Sequence, residues 1–217
     1  MLFRSEALDA VERTSVKRYN AEFHSQSALE AVLELRREHA VDPRQVERIE
    51  LDVFQVAYDI IGGGEEGDKR SVRTKEEADH SLPYLVAVAL LDGDVLPAQY
   101  APDRIVRPDV QSLLRRVRIE PDPALSAAFP DRHACRVRIV LRDGRVLARE
   151  QSDYRGFVTR PAGWDDVEDK FRRLAVPVAG EETAGRIVAA IRDLEHISVA
   201  SLCSLLERAG GEGGQVT

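Results

Sequence analysis

The chain has 217 residues, two cysteines and a formal net charge of −7, a length that suits one generous domain with a core of its own. Its acidic balance, with a pI near 5.4, argues against a nucleic-acid or anionic-membrane partner, although local basic clusters remain able to grip a small anion. Cys135 and Cys203 are too few for an iron–sulfur cluster, a Cys-rich zinc site or a disulfide scaffold. There is no run of about 18 apolar residues, and the start MLFRSEALDAVER has no signal-peptide core. A soluble, cytoplasmic protein is expected.

Residues 27–40 place Ala28, Ala31, Val32 and Leu35 on one stripe opposite Glu30, Glu34 and Arg37, which predicts an amphipathic helix capped by Ser25 or Ser27. Residues 47–54 alternate Ile49, Leu51 and Val53 with Arg48, Glu50 and Asp52, the pattern of a strand with one face in water. The run from Gly62 to Arg70 (GGGEEGDKR) is the clearest loop. It reads as a linker or as a phosphate cradle, and it lacks the Gly-Lys-Ser/Thr ending of a P-loop. Residues 75–92 predict a helix closed by Gly93, apolar on all sides in its second half and therefore buried. Pro83 is expected to kink or restart it and to leave the turn from Asp79 to Tyr84 irregular.

Residues 108–115 predict a short helix running into a strand at 116–120, and residues 135–150 predict a hairpin around Asp143-Gly144. Three helices follow at 164–175, 181–195 and 198–209, with a disordered tail over 210–217. Strands near 47–54, 115–121, 134–142 and 145–152 among these helices give an α+β class, with an antiparallel sheet expected. The expected organisation is a lead-in over 1–15, a single α+β body with a helical tail over 16–209, and the terminal tail.

Metal spacing is absent from the five histidines at 24, 39, 80, 133 and 196, so no metal site is expected. Nor is there a G-x-S-x-G or G-x-G-x-x-G. Two clusters stand out. In Lys17-Arg18-Tyr19-Asn20-Ala21-Glu22-Phe23-His24, cations beside a helix start form either a carboxylate pocket or an ordinary capped surface turn. In Thr74 to Tyr84, Asp79 beside His80 orients an imidazole and Tyr84 donates a proton, or else Thr74 simply caps a helix with acidic residues in its first turn.

The strings SVKRYNAEFHSQSALEA, RTKEEADHSLPYLVAVALLDGDVLPAQY, RPDVQSLLRRVRIEPDP, LRDGRV and RPAGWDDVEDKFRRLA, in that order, resemble the C-terminal half of MmgE/PrpD-family proteins from about Val16 to Ala175. The family includes 2-methylcitrate dehydratases of propionate degradation, cis-aconitate decarboxylase and iminodisuccinate epimerase, all working on small di- or tricarboxylates. The resemblance implies a carbon–oxygen lyase that needs no cofactor and no iron–sulfur cluster. It places Lys17 on the family's lysine of a K-x-[FY]-P motif, with Asn20 where the proline often stands, and makes Lys17, Arg18 and Glu22 substrate contacts. His24, in the EFH-x-Q segment of the dehydratase-like branch, and Tyr84, in the S-x-P-Y turn, become the catalytic pair. Asp79 and His80, in an ADHS variant of that turn, become further substrate contacts. Glu22 stands where decarboxylase-like relatives carry a histidine, which favours dehydration.

Family members carry a large all-helical domain ahead of this region, whereas Met1 stands shortly before the Lys17 motif. The resemblance therefore implies a second half without its first, working as a homodimer or with a helical N-terminal domain. A non-catalytic remnant or dimerisation module, and an isomerase or epimerase, are the alternatives.

Overall fold

The computed structural model describes residues 14–211. These form two compact units divided between Pro161 and Ala162. The first 13 residues of the expected lead-in lie outside the described part.

Helix α1 (Gln26–Glu38) follows a 3-10 turn at Phe23–Ser25 and buries Ala28, Leu29, Ala31, Val32 and Leu35 along the stripe that the sequence marks. Strand β1 (Val46–Val53) alternates as expected, with Ile49, Leu51 and Val53 inward. The predicted long helix is two: α2 (Lys75–Asp79) and α3 (Leu82–Asp92). Thr74 and Glu77 form a capping box at α2. At α3, Ser81 Oγ accepts from the Tyr84 amide at 3.1 Å and donates to the Lys69 carbonyl at 2.5 Å. Pro83 thus sits in the first turn of a new helix, where its missing N–H costs nothing, and restarts the run instead of kinking it.

Gly93 closes α3 at φ +81°, and a Cβ built there would lie 2.6 Å from Arg36 Nη1. Arg36 is itself fixed, its Nε donating to the Leu90 carbonyl at 2.8 Å. Gly93→Ala is therefore expected to lower stability by about 1–2 kcal/mol, the left-handed backbone and the displaced guanidinium adding together; urea unfolding measures it.

Helix α4 (Pro108–Leu114) leads into β2 (Val117–Pro121), and α5 (Pro123–Ala128) precedes β3 (Cys135–Leu141) and β4 (Val146–Gln151). The sheet order is β2-β1-β3-β4. The pairs β1–β3 and β3–β4 are antiparallel, as expected, but β1–β2 is parallel, with Ile49 opposite Val117. The expectation of a wholly antiparallel sheet is corrected there. The cause is the connection: residues 54–116 cross over the sheet through α2, α3 and α4 and return the chain in the same direction. Asp143-Gly144 turns the β3–β4 hairpin, with Gly144 at φ +88°.

One sheet face packs on α1 and α3; the other carries charge, with Arg138 bridging Glu50 at 3.0 Å and Asp52 at 2.9 Å, and Arg136 joining Asp122 and Glu150.

In the second unit, α6 (Trp164–Arg192) breaks at Gly180 (φ 74°, ψ 163°), which yields the two predicted helical segments. Helix α7 (Val199–Gly211) packs on α6 and reaches two residues into the expected tail; residues 212–217 lie outside the described part. Among the described residues no helix is long and apolar enough to cross a membrane.

Candidate active site

The loop ahead of α1 is shaped from beneath by Gln26, which is fully buried. Its Oε1 accepts from the Tyr19 amide at 2.9 Å, and its Nε2 donates to the carbonyls of Tyr19, Ala21 and Glu22 at 3.3 Å. Thus fixed, Glu22 grips His24 twice: one carboxylate oxygen takes the His24 amide at 2.7 Å and the other meets the imidazole Nδ1 at 2.6 Å. Both side chains are largely enclosed, at 12% and 17% exposure, and the structure gives the His24 Nε2 no hydrogen bond among the described residues. A carboxylate on Nδ1 fixes the tautomer and leaves Nε2 as the atom that exchanges a proton.

His24 also meets a residue that no motif singles out. Its ring lies parallel to that of His133, 5.7 Å away and inclined by 8°. His133 is surrounded by Phe23, Phe54, Phe129 and Phe157 at ring separations between 4.6 and 5.3 Å. Burial, and then the charge of His24, push the His133 imidazole down to about 4, so it is neutral at physiological pH. The register accounts for the meeting. Val53 pairs with Cys135, so Phe54 just after β1 and His133 just before β3 come to the same end of the sheet. No spacing in the sequence announces a contact across 109 positions.

The expected substrate contacts separate. Lys17 is exposed. Arg18 is half-buried and lines a pocket of about 220 Å³ with Glu30, Glu34, Arg37, Arg155 and Arg160. Glu30, 5% exposed, organises that pocket: it accepts from Gln151 Nε2 at 2.7 Å, Arg160 Nη1 at 2.9 Å and the Arg155 amide at 3.2 Å. Glu30→Gln removes the charge and turns an amide N–H₂ toward these donors, so a loss of about 2 kcal/mol in thermal or urea unfolding is expected. Burial, with Glu30 nearby, pushes the Tyr19 phenol up to about 12.

Tyr84 lies elsewhere. It is fully buried on α3, its hydroxyl donating to the Gln99 carbonyl, and burial pushes its phenol up to about 12. Among the described residues no hydrogen bond, ion pair or ring contact joins Tyr84 to His24. The neighbouring Tyr100 connects the two regions, since its hydroxyl donates to the Asn20 carbonyl at 2.5 Å. Asp79 is half-buried, its charge facing Tyr100, while His80 is exposed, and no hydrogen bond or ion pair joins Asp79 to His80. Cys135 is buried and its thiol pushed up to about 12 by burial, which removes it as a nucleophile. Among the described residues no group of three or more His, Cys, Asp or Glu side chains is placed to hold a metal ion.

Fold and site together define an α+β domain with a carboxylate-bound histidine, backed by an aromatic cage, and a separate arginine-lined pocket. The model of the MmgE/PrpD C-terminal domain matches residues 19–196, and the chain belongs to that family. It is 27% identical to cis-aconitate decarboxylase of Mus musculus over 79% of its own length and 34% of that protein's. It is 32% identical to 2-methylcitrate dehydratase of Cupriavidus necator over 63% of its own length and 28% of that protein's. A 2-methylcitrate dehydratase of Escherichia coli strain K12 is 26% identical over 52% of this chain and 23% of the relative. The chain thus spans about a third or less of the length of the curated relatives it matches.

Proposed function

We propose that this chain supplies the proton-transfer histidine of a dehydratase-like carbon–oxygen lyase acting on a small di- or tricarboxylate, working with an all-helical N-terminal domain or as a homodimer. The observation that carries the reading is the Glu22–His24 pair, with Nδ1 held at 2.6 Å and Nε2 without a hydrogen bond among the described residues. In such a reaction a base removes the proton α to a carboxylate, an acid protonates the departing hydroxyl, the C–O bond breaks and a carbon–carbon double bond and water are formed. His24 is suited to one of the two proton steps, with Glu22 stabilising the imidazolium that results. Tyr84 is the proposed group for the other proton step, and it must exchange its Gln99 contact to serve. Lys17, Arg18, Asp79 and His80 are the proposed contacts to the substrate, Arg18 through the arginine-lined pocket.

The names of the relatives set the test. The purified chain, alone and mixed with a separately produced helical domain of a family member, is assayed with 2-methylcitrate and citrate for the absorbance of the new double bond. It is assayed in parallel with cis-aconitate for carbon dioxide release. The reading expects unsaturated product from a hydroxy-tricarboxylate in the mixture. Carbon dioxide from cis-aconitate would replace dehydration by decarboxylation. No turnover in any arm would favour a non-catalytic member of the family.

A further inference from the structure

His133 is 3% exposed, and its ring Nδ1 is buried with no hydrogen-bond partner among the described residues. A buried nitrogen left without a partner is costly, and a phenylalanine would fill the same aromatic cage without that cost. Packing therefore does not account for an imidazole at this position. Its neighbour does: the ring lies parallel to that of His24, 5.7 Å away, whose Nδ1 is held by the largely enclosed Glu22 carboxylate.

We propose that His133 is a positioning residue for the Glu22–His24 pair, its caged ring fixing the plane of His24. This rests on the proposed proton-transfer role of His24. Two imidazolium rings 5.7 Å apart would repel each other. The charged groups acting on His133 are His24 and Glu22. The other titratable ring beside it, Tyr154, stays protonated because burial pushes its phenol up to about 12. The phenylalanines that complete the cage carry no charge.

The test is histidine-ring NMR on the full chain with ¹⁵N-labelled imidazoles, followed through pH for the native protein and for His133→Ala, His133→Phe and His24→Phe. In the native protein His133 is expected to stay neutral to pH 4 or so, as its burial requires. His24→Phe removes a like charge and raises the His133 midpoint by about one pH unit. His133→Ala opens the cage and speeds exchange of the His24 Nδ1 proton about tenfold, and His133→Phe, which keeps the ring face, restores the slow exchange. Three results overturn the proposal: an imidazolium signal for His133 at pH 6, a His133 midpoint unmoved by His24→Phe, or unchanged Nδ1 exchange in a folded His133→Ala protein. These readouts need no turnover, so a failed lyase assay would overturn the functional reading separately and leave the positioning of His24 to be decided by the spectra.

Discussion

Between pH 6.5 and pH 4 the protein is expected to lose about 3 kcal/mol of stability to His133 alone. The sign follows from its depressed titration, from 6.5 down to about 4. In the unfolded chain the imidazole takes up a proton as the pH falls through 6.5, while in the folded protein burial refuses it until about 4. The unfolded state binds more protons throughout that window, so stability falls with pH and levels off below it. Carboxylates held low by arginines, such as Glu50 between Arg48 and Arg138, act in the same direction but further down. Their contribution is complete above the usual carboxylate range and is lost as the pH drops below it. The histidine step therefore comes first. Urea unfolding followed by far-UV circular dichroism at several pH values measures the loss. The single tryptophan is a poor reporter here because Trp164 lies in the other unit. His133→Phe is expected to flatten the profile between pH 6.5 and 4; an equally steep profile in that variant would reject the assignment.

The second large effect concerns turnover. His24→Gln is expected to lower kcat about 10²–10⁴-fold in whichever carboxylate assay shows activity, the range that a positioned proton-transfer group contributes. Glutamine retains a polar side chain of moderate size but exchanges no proton. Glu22→Gln leaves the imidazole in place and removes the charge that holds it, so a smaller loss is expected, with the pH profile displaced. Because both Glu22 oxygens are engaged by His24, at 2.7 Å and 2.6 Å, the two substitutions are expected to be non-additive. The double variant should resemble His24→Gln alone. Equal and independent losses would show that the two residues do not act as a unit.

The sequence itself was enough for the local elements, because local elements follow from local patterns. The stripe of α1, the alternation of β1 and the Asp143-Gly144 reversal each arise from residues that touch neighbours a few positions away. Thr74 likewise marked the start of α2, and Pro83 the break in what read as a single helix. Those patterns together carried the α+β class, and the family motifs carried the membership.

What periodicity missed were elements with weak or mixed signals. The π-helical turn at Tyr58–Gly62 and the short α5 have no amphipathic stripe long enough to read. The direction of β2 depended on the crossover before it, since an apolar–charged alternation is the same in either direction.

The site divides in the same way. Glu22 and His24 are two positions apart, so their pairing was implicit in the chain order and needed only Gln26 to set the loop. Arg18 was legible as a cation but not its company: Glu30, Arg155 and Arg160 reach it only once α1 lies beside the end of β4. Tyr84 was legible as a tyrosine at a helix start, yet its burial and its bond to Gln99 were decided by where α3 sits in the core. His133 is the clearest case. Alone it was one of five scattered histidines, without metal spacing or a patterned neighbour. Only the β1–β3 register brings it against His24, and only an enclosure of aromatic rings keeps it neutral there. Composition and order determined the elements, the family and the acidic chain with local cations. The tertiary structure decided the proton chemistry, because a side chain's charge state depends on the water removed and the charges brought near, and both are settled by residues distant in sequence.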